Sequence, residues 1–117
     1  MGADCLQIRA KSIAQAEFFQ ENIAMTVCPG KNLNAQMVNA QVADELLTVE
    51  GVCASFVAGR DQTGKTIISA RSLGDINVQL IMERLGGGGH LTTAGAQAET
   101  TPEEAIENLK EILKEFL

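Results

Sequence analysis

Apolar residues recur along this chain with two periods, and the switches between them mark out its elements. From Asp4 to Gln20, Leu6, Ala10, Ala14 and Phe18 fall four apart with Ile13 beside them, and no Pro or Gly interrupts. That spacing predicts a helix with this stripe buried. Ile23 to Cys28 is a short apolar run closed by Pro29-Gly30, a strand followed by a turn. A second helix is predicted over roughly Asn34 to Thr48, where Ala35, Val38, Val42 and Leu46 form the stripe and Gly51 lies beyond the end. In Val52 to Ala58 apolar residues occupy both faces, as in a strand of a sheet covered on both sides. The polar stretch Gly59 to Gly64 then turns the chain into a strand over Lys65 to Arg71. So short a link makes a hairpin, and the sheet is at least partly antiparallel.

A short helix is predicted over about Asn77 to Leu85. Asn77 suits its cap better than Asp75, because Val78, Ile81 and Leu85 follow on one face. Gly86 to Gly89 ends that helix and forms no regular structure at reasonable cost. Thr92 to Ala98 reads as a strand of small residues. Thr101-Pro102-Glu103-Glu104 is a helix start, with a Thr cap, Pro at the first position and Glu three residues after the cap. Ile106, Leu109, Leu113 and Phe116 then make a buried stripe, and Met25, Met37 and Met82 read as core filling. The predicted fold is a single α/β domain with a mixed, partly antiparallel sheet flanked by helices.

Composition narrows the function. At 117 residues the chain is long enough for one core. With 45% hydrophobic and 21% charged residues it is not a disordered sequence. No apolar run approaches the ~20 residues of a membrane helix, and no signal-peptide pattern opens the chain; Met1-Gly2 reads as a cloning remnant. The net charge is −6, with 15 acidic against 9 basic residues, which argues against binding double-stranded nucleic acid. The distribution is uneven. Six Glu and two Lys lie between Glu99 and Leu117, whereas Arg60, Lys65, Arg71 and Arg84 outnumber the acids between Arg60 and His90. A small anion fits the middle segment. Cys5, Cys28 and Cys53 are odd in number and widely spaced. Cys28 and Cys53 read as small core residues of a reducing compartment, and no metal role is expected of the three.

Four consecutive glycines each cost roughly 0.5–1 kcal/mol of backbone entropy relative to Ala, so a simple turn would hardly use them. They suit a backbone that approaches a ligand closely and turns N–H groups toward an anion. His90, the one His in the chain, follows at once. Arg71 ends the strand that leads into the preceding helix, and Ser69 lies on the same strand face. Guanidinium, hydroxyl, imidazole and bare N–H groups make a phosphate cradle. They make neither a catalyst nor a metal centre, since no second His or His/Asp cluster accompanies them. Each also has a plainer explanation: a flexible loop for the glycines, a surface His, an ion-paired Arg at a strand end, and capping alone for Asp75 and Asn77.

The segment from Ser69 to Gln79, followed by Ile81-Met82-Glu83 and Gly86-Gly87-Gly88-Gly89-His90, closely resembles the DHHA1 domain of DHH-type phosphoesterases. More narrowly, it is similar to the C-terminal domain of the membrane-anchored cyclic-di-AMP phosphodiesterases of the GdpP/YybT family. The likeness runs from about Ala10 to Leu117 and is strongest between Ser69 and Ala96. The glycine-His run marks the superfamily; the stretch in front of it is more specific.

The resemblance implies a larger parent. In that family a preceding DHH domain holds two manganese ions, and metal-activated water opens the substrate to the linear dinucleotide pApA. The DHHA1 domain faces it across a cleft and binds substrate. Carried onto this sequence, Arg71 and Ser69 meet the phosphate, Gly87, Gly88 and Gly89 supply N–H groups, and His90 contacts phosphate or sugar on the side facing the metals. Asn77 shapes the pocket or reaches a base. The Asp-His-His signature is absent, so the expectation is weak binding of cyclic-di-AMP or pApA and no measurable hydrolysis. Residues 1–20 are expected to be the connection to the DHH domain, with an exposed side that is a candidate for homodimer formation. Residues 21–117 are the substrate-binding domain. As part of a bacterial plasma-membrane protein the domain is expected on the cytoplasmic side, soluble and without direct membrane contact. The competing readings are a nano-RNA or pAp hydrolase of the same superfamily, an RNA-binding accessory domain like that of alanyl-tRNA synthetases, and a purely dimerising domain.

Overall fold

The computed structural model describes residues 3–117; Met1-Gly2 lie outside the described residues. The elements in order are α1 (Ala3–Ala14), β1 (Glu17–Phe19), β2 (Ile23–Lys31), α2 (Ala35–Leu47), β3 (Ala54–Arg60), β4 (Thr66–Ser72), α3 (Val78–Glu83), β5 (Gly88–Gly89), β6 (Thr93–Ala98) and α4 (Pro102–Phe116). Six strands form one sheet in the order β1-β2-β3-β4-β6-β5. β2 and β3, joined through α2, run parallel, and all other neighbours are antiparallel. The mixed α/β domain expected from the sequence is the one observed.

Strand alternation divides the core in two. Ile23, Met25, Phe56 and Ile68 face Ile81, Met82, Ile106, Leu109 and Leu113 of α3 and α4. Ala24, Cys28 and Val57 face Cys5, Val38, Val42 and Leu46 of α1 and α2. Polar side chains pin α2 to the sheet: Asn39 Nδ2 donates to Ile67 O at 2.9 Å, and Ser55 Oγ donates to Ala43 O at 2.6 Å. α2 lies over β3 and β4 and reaches β2, while α3 lies over β6 and β5. The α2 side of β6 therefore remains open, which is why Thr93 and Gln97 are exposed while Ala94 and Ala96 are buried.

Several expectations need correction. The first helix stops at Ala14 rather than Gln20, and Leu6, Ala10, Ala14 and Phe18 are all exposed; α1 buries Cys5 and Ser12 instead. Glu17–Phe19 pairs with β2 through a turn in which Gln20 and Glu21 have φ of 56° and 70°. Pairing the outer edge of β2 and the strand preference of two adjacent Phe outweigh continuation of the helix. Pro29-Gly30 does not end β2, which runs on to Lys31 with a register shift between Val27 and Lys31; an irregularity of this kind is where a strand tolerates Pro. Met37 is 42% exposed, one residue off the buried stripe of α2, and Phe116 is 39% exposed beneath the Arg84 guanidinium, 5.9 Å from the ring centroid. Finally, Gly88–Gly89 is a short edge strand, not irregular chain.

Candidate ligand-binding site

The open part of the sheet is the floor of a cleft of about 770 Å³. Ile67, Ser69 and Arg71 of β4 alternate onto it, and the register sets Gln97, Gly95 and Thr93 of β6 directly beside them. One wall is α2, through Gln36 and Ala40. The opposite rim is the segment from Gly86 to His90. The structure thus brings together Ser69, Arg71, Gly87, Gly88, Gly89 and His90 from segments up to 21 positions apart in the sequence.

Arg71 is held rather than free. Its Nε donates to Asp44 Oδ1 on α2 at 2.9 Å and its Nη1 to the Ala70 carbonyl at 2.9 Å, with the side chain 17% exposed. Two of its groups are thereby fixed, and the side chain lines the cleft. A half-exposed pair of this kind adds only ~0–1 kcal/mol of stability, so its main consequence is the aim of the guanidinium. Ser69 is 6% exposed, and among the described residues its Oγ has no hydrogen-bond partner. His90 is exposed, and its backbone N–H donates to Thr93 O at 2.7 Å.

The four glycines have different duties. Gly86 (φ 85°) and Gly87 close α3, their N–H groups donating to Glu83 O at 3.0 Å and Met82 O at 2.8 Å, the paired bonds of a left-handed helix end. The Gly87 N–H is therefore committed to the helix and not offered to a ligand, which corrects the cradle expected from sequence. A Cβ on Gly87 would meet Ala96 Cα at 2.7 Å, and one on Gly89 (φ 145°) would meet Ala94 Cα at 2.5 Å, so both are needed for the close approach of β5 to β6. Since His90 and Thr93 are a hydrogen-bonded pair, ladder alternation leaves the Gly89 N–H pointing outward at the sheet edge. Gly88 differs from its neighbours. It needs no positive φ, and a Cβ there would meet nothing within 4 Å.

Asn77 stands outside the cleft. It caps α3, with Oδ1 accepting from the backbone of Gln79 at 3.1 Å and Leu80 at 3.3 Å. Sequence reasoning passed over Gln36, Ala40, Thr93, Gly95 and Gln97. Gly95 alone carried a signal, as an isolated Gly inside a strand marks close backbone approach; a Cβ there would lie 2.9 Å from Ile68 O.

The donor set favours an anion over a cation. Among the described residues no three His, Cys, Asp or Glu side chains converge as metal ligands. Burial pushes the Cys28 thiol up, and burial followed by the charge of Asp75 does so for Cys53. Among the described residues no helix is long and apolar enough to cross a membrane.

The model of the family described as the DHHA1 domain matches residues 20–117. The chain is 49% identical over 109 residues to the cyclic-di-AMP phosphodiesterase GdpP of Geobacillus thermodenitrificans, covering 92% of this chain and 17% of that protein. It is 43% identical over 111 residues to GdpP of Bacillus subtilis, again covering 92% of this chain and 17% of the relative. Among solved structures, an exopolyphosphatase-related protein from Bacteroides fragilis superposes with a TM-score of 0.82 at 19% identity, over 99% of this chain and 36% of that one, a likeness of fold. The chain spans about one sixth of the length of its curated relatives.

Proposed function

This chain belongs to the DHHA1 domain family, and we propose that its cleft grips the phosphates of an adenine dinucleotide, cyclic-di-AMP or pApA, within a cyclic-di-AMP phosphodiesterase. It is related to phosphodiesterases named for that substrate. The observation that carries the reading is the meeting, over one open sheet face, of an aimed guanidinium, an unpartnered hydroxyl and a side-chain-free backbone strand. The guanidinium and the hydroxyl recognise phosphate through charge-assisted hydrogen bonds, and the bare strand lets it approach closely. They do not activate water, so bond cleavage belongs to a partner domain of the same parent chain, where the two manganese ions sit. In this arrangement the binding domain faces the cytoplasm and the parent is anchored in the membrane.

The test is a calorimetric titration of this chain with cyclic-di-AMP, pApA and pAp, each with and without manganese. Binding that ignores manganese and prefers a dinucleotide to pAp supports the reading. Arg71→Ala should weaken it about 10- to 100-fold, the worth of charge-assisted hydrogen bonds at ~1.5–3 kcal/mol. Preference for pAp points instead to a nano-RNA or pAp hydrolase. Hydrolysis of cyclic-di-AMP by the chain alone would contradict the division of labour.

A further inference from the structure

The cleft has two chemically different ends. Arg71 and Thr93 form one pair across β4 and β6, Ser69 and Gly95 the next, and Ile67 and Gln97 the third. At about 3.3 Å per residue, Gln97 lies about 7 Å along the strand from Gly95 and about 13 Å from Thr93. α2 runs beside this row in matching steps. Gln36, Ala40 and Asp44 are four residues apart on one helix face, about 6 Å per step. Asp44 pairs with Arg71, while Asn39, beside Ala40, bonds the Ile67 carbonyl. The order along the helix therefore follows the order along the strand, and Gln36 stands at the same end as Gln97.

At that end no net charge invites a second phosphate. Lys65 and Glu99 face each other at 3.7 Å, the floor between the two amides is Ile67 with Ala40 above it, and among the described residues neither Gln side chain has a hydrogen-bond partner. An apolar floor flanked by free carboxamides suits a flat, neutral, hydrogen-bonding group.

We propose that Gln36 and Gln97 form a base subsite that reads the edge of adenine, one step along the sheet from the phosphate held at Ser69 and Arg71. This rests on the dinucleotide reading above and adds to it the residues that set base preference. A carboxamide accepts from the exocyclic amine of adenine through its oxygen and donates to N7 through its nitrogen, whereas guanine presents two acceptors along that edge and offers the amide oxygen no donor. Small Ala40, between Gln36 and Asp44, keeps the passage from phosphate to base open.

The experiment is an amide-resolved NMR titration of this chain with pApA, with pGpG and with inorganic pyrophosphate as a probe that carries no base. The side-chain amide signals of Gln36 and Gln97 should move with pApA and stay in place with pyrophosphate. Gln97→Ala should lose about tenfold in pApA affinity, the lower end of the value of a bidentate base contact, narrow the preference over pGpG, and leave pyrophosphate binding as it was. Both side chains are exposed, so the substitutions leave the fold intact. Amide signals that do not move while pApA binds through Arg71, or equal losses for pApA and pyrophosphate, would overturn the base subsite alone. If neither dinucleotide binds at all, the dinucleotide reading falls and takes this inference with it.

Discussion

The clearest separation of folding from binding lies in three adjacent glycines. A Cβ at Gly87 or Gly89 would be driven into the backbone of β6, and Gly89 also has φ of 145°. Overpacking against atoms that cannot move aside costs about 1–3 kcal/mol, and a side chain in a left-handed conformation adds ~1–2 kcal/mol. Gly87→Ala should then lower stability by about 1–3 kcal/mol and Gly89→Ala by about 2–5 kcal/mol. For a domain of this size that is a fall in Tm of about 4 °C per kcal/mol. Gly88→Ala meets no neighbour within 4 Å and needs no unusual φ. It should be neutral or stabilising by up to ~1 kcal/mol, because Ala has less freedom to lose on folding. The same methyl protrudes into the cleft, where Gly88 pairs with Gly95 beside Ser69, and it should weaken pApA binding about tenfold or more. Thermal unfolding followed by circular dichroism, with ligand titration of each folded variant, reads both quantities. The reasoning is refuted if Gly88→Ala melts as low as its neighbours, or if it melts normally and still binds with unchanged affinity.

Other outcomes follow from single contacts. Asp44→Ala releases the Nε of Arg71 from its 2.9 Å partner; dinucleotide affinity should fall several-fold while Tm moves by less than about 4 °C, and an Asp44→Glu variant should recover part of the binding. Leu109 is fully buried between α4 and the sheet, so Leu109→Ala should cost about 2–5 kcal/mol in denaturant unfolding; a loss below 1 kcal/mol would mean that α4 is not packed as described. Hydrogen bonds from Thr63, foremost its hydroxyl, and from the Lys65 and Gly64 amides hold the Asp61 carboxyl below the usual carboxylate range. A lowered folded value means that the turn is tightened above the unfolded carboxylate value and loosened as pH falls through the folded one. The amide signals of Thr63 and Lys65 should therefore shift at acid pH in the native chain and stay constant in Asp61→Asn.

Much of the architecture was legible because local rules and the global fold agree. The capping box at Thr101 and Glu104 forms as read, with Glu104 N donating to Thr101 Oγ1 at 3.1 Å. The α2 stripe is buried as its spacing predicts, and Asn77 caps α3. These depend on residues within one or two turns of each other, where spacing determines contact. The first helix departs from its stripe because two local structures compete: the periodicity of Leu6, Ala10, Ala14 and Phe18 favours a helix, but Glu17–Phe19 pairs with β2 across a turn, Phe19 opposite Ile23, and the hairpin wins.

What the amino-acid sequence determined by itself was the kind of chemistry: a basic, glycine-rich middle segment with one Arg, one Ser and one His fit for an anion. What only the tertiary structure decided was how that chemistry is arranged. α2 stops short of β6, so one sheet face stays open; Asp44, 27 positions from Arg71, holds it; and pairing between β5 and β6 packs the Cβ positions of Gly87 and Gly89 against β6 while leaving that of Gly88 open. Cross-strand register and helix placement are long-range properties. No spacing within one segment encodes them, because they are settled only when separate segments compete for the same edges and faces.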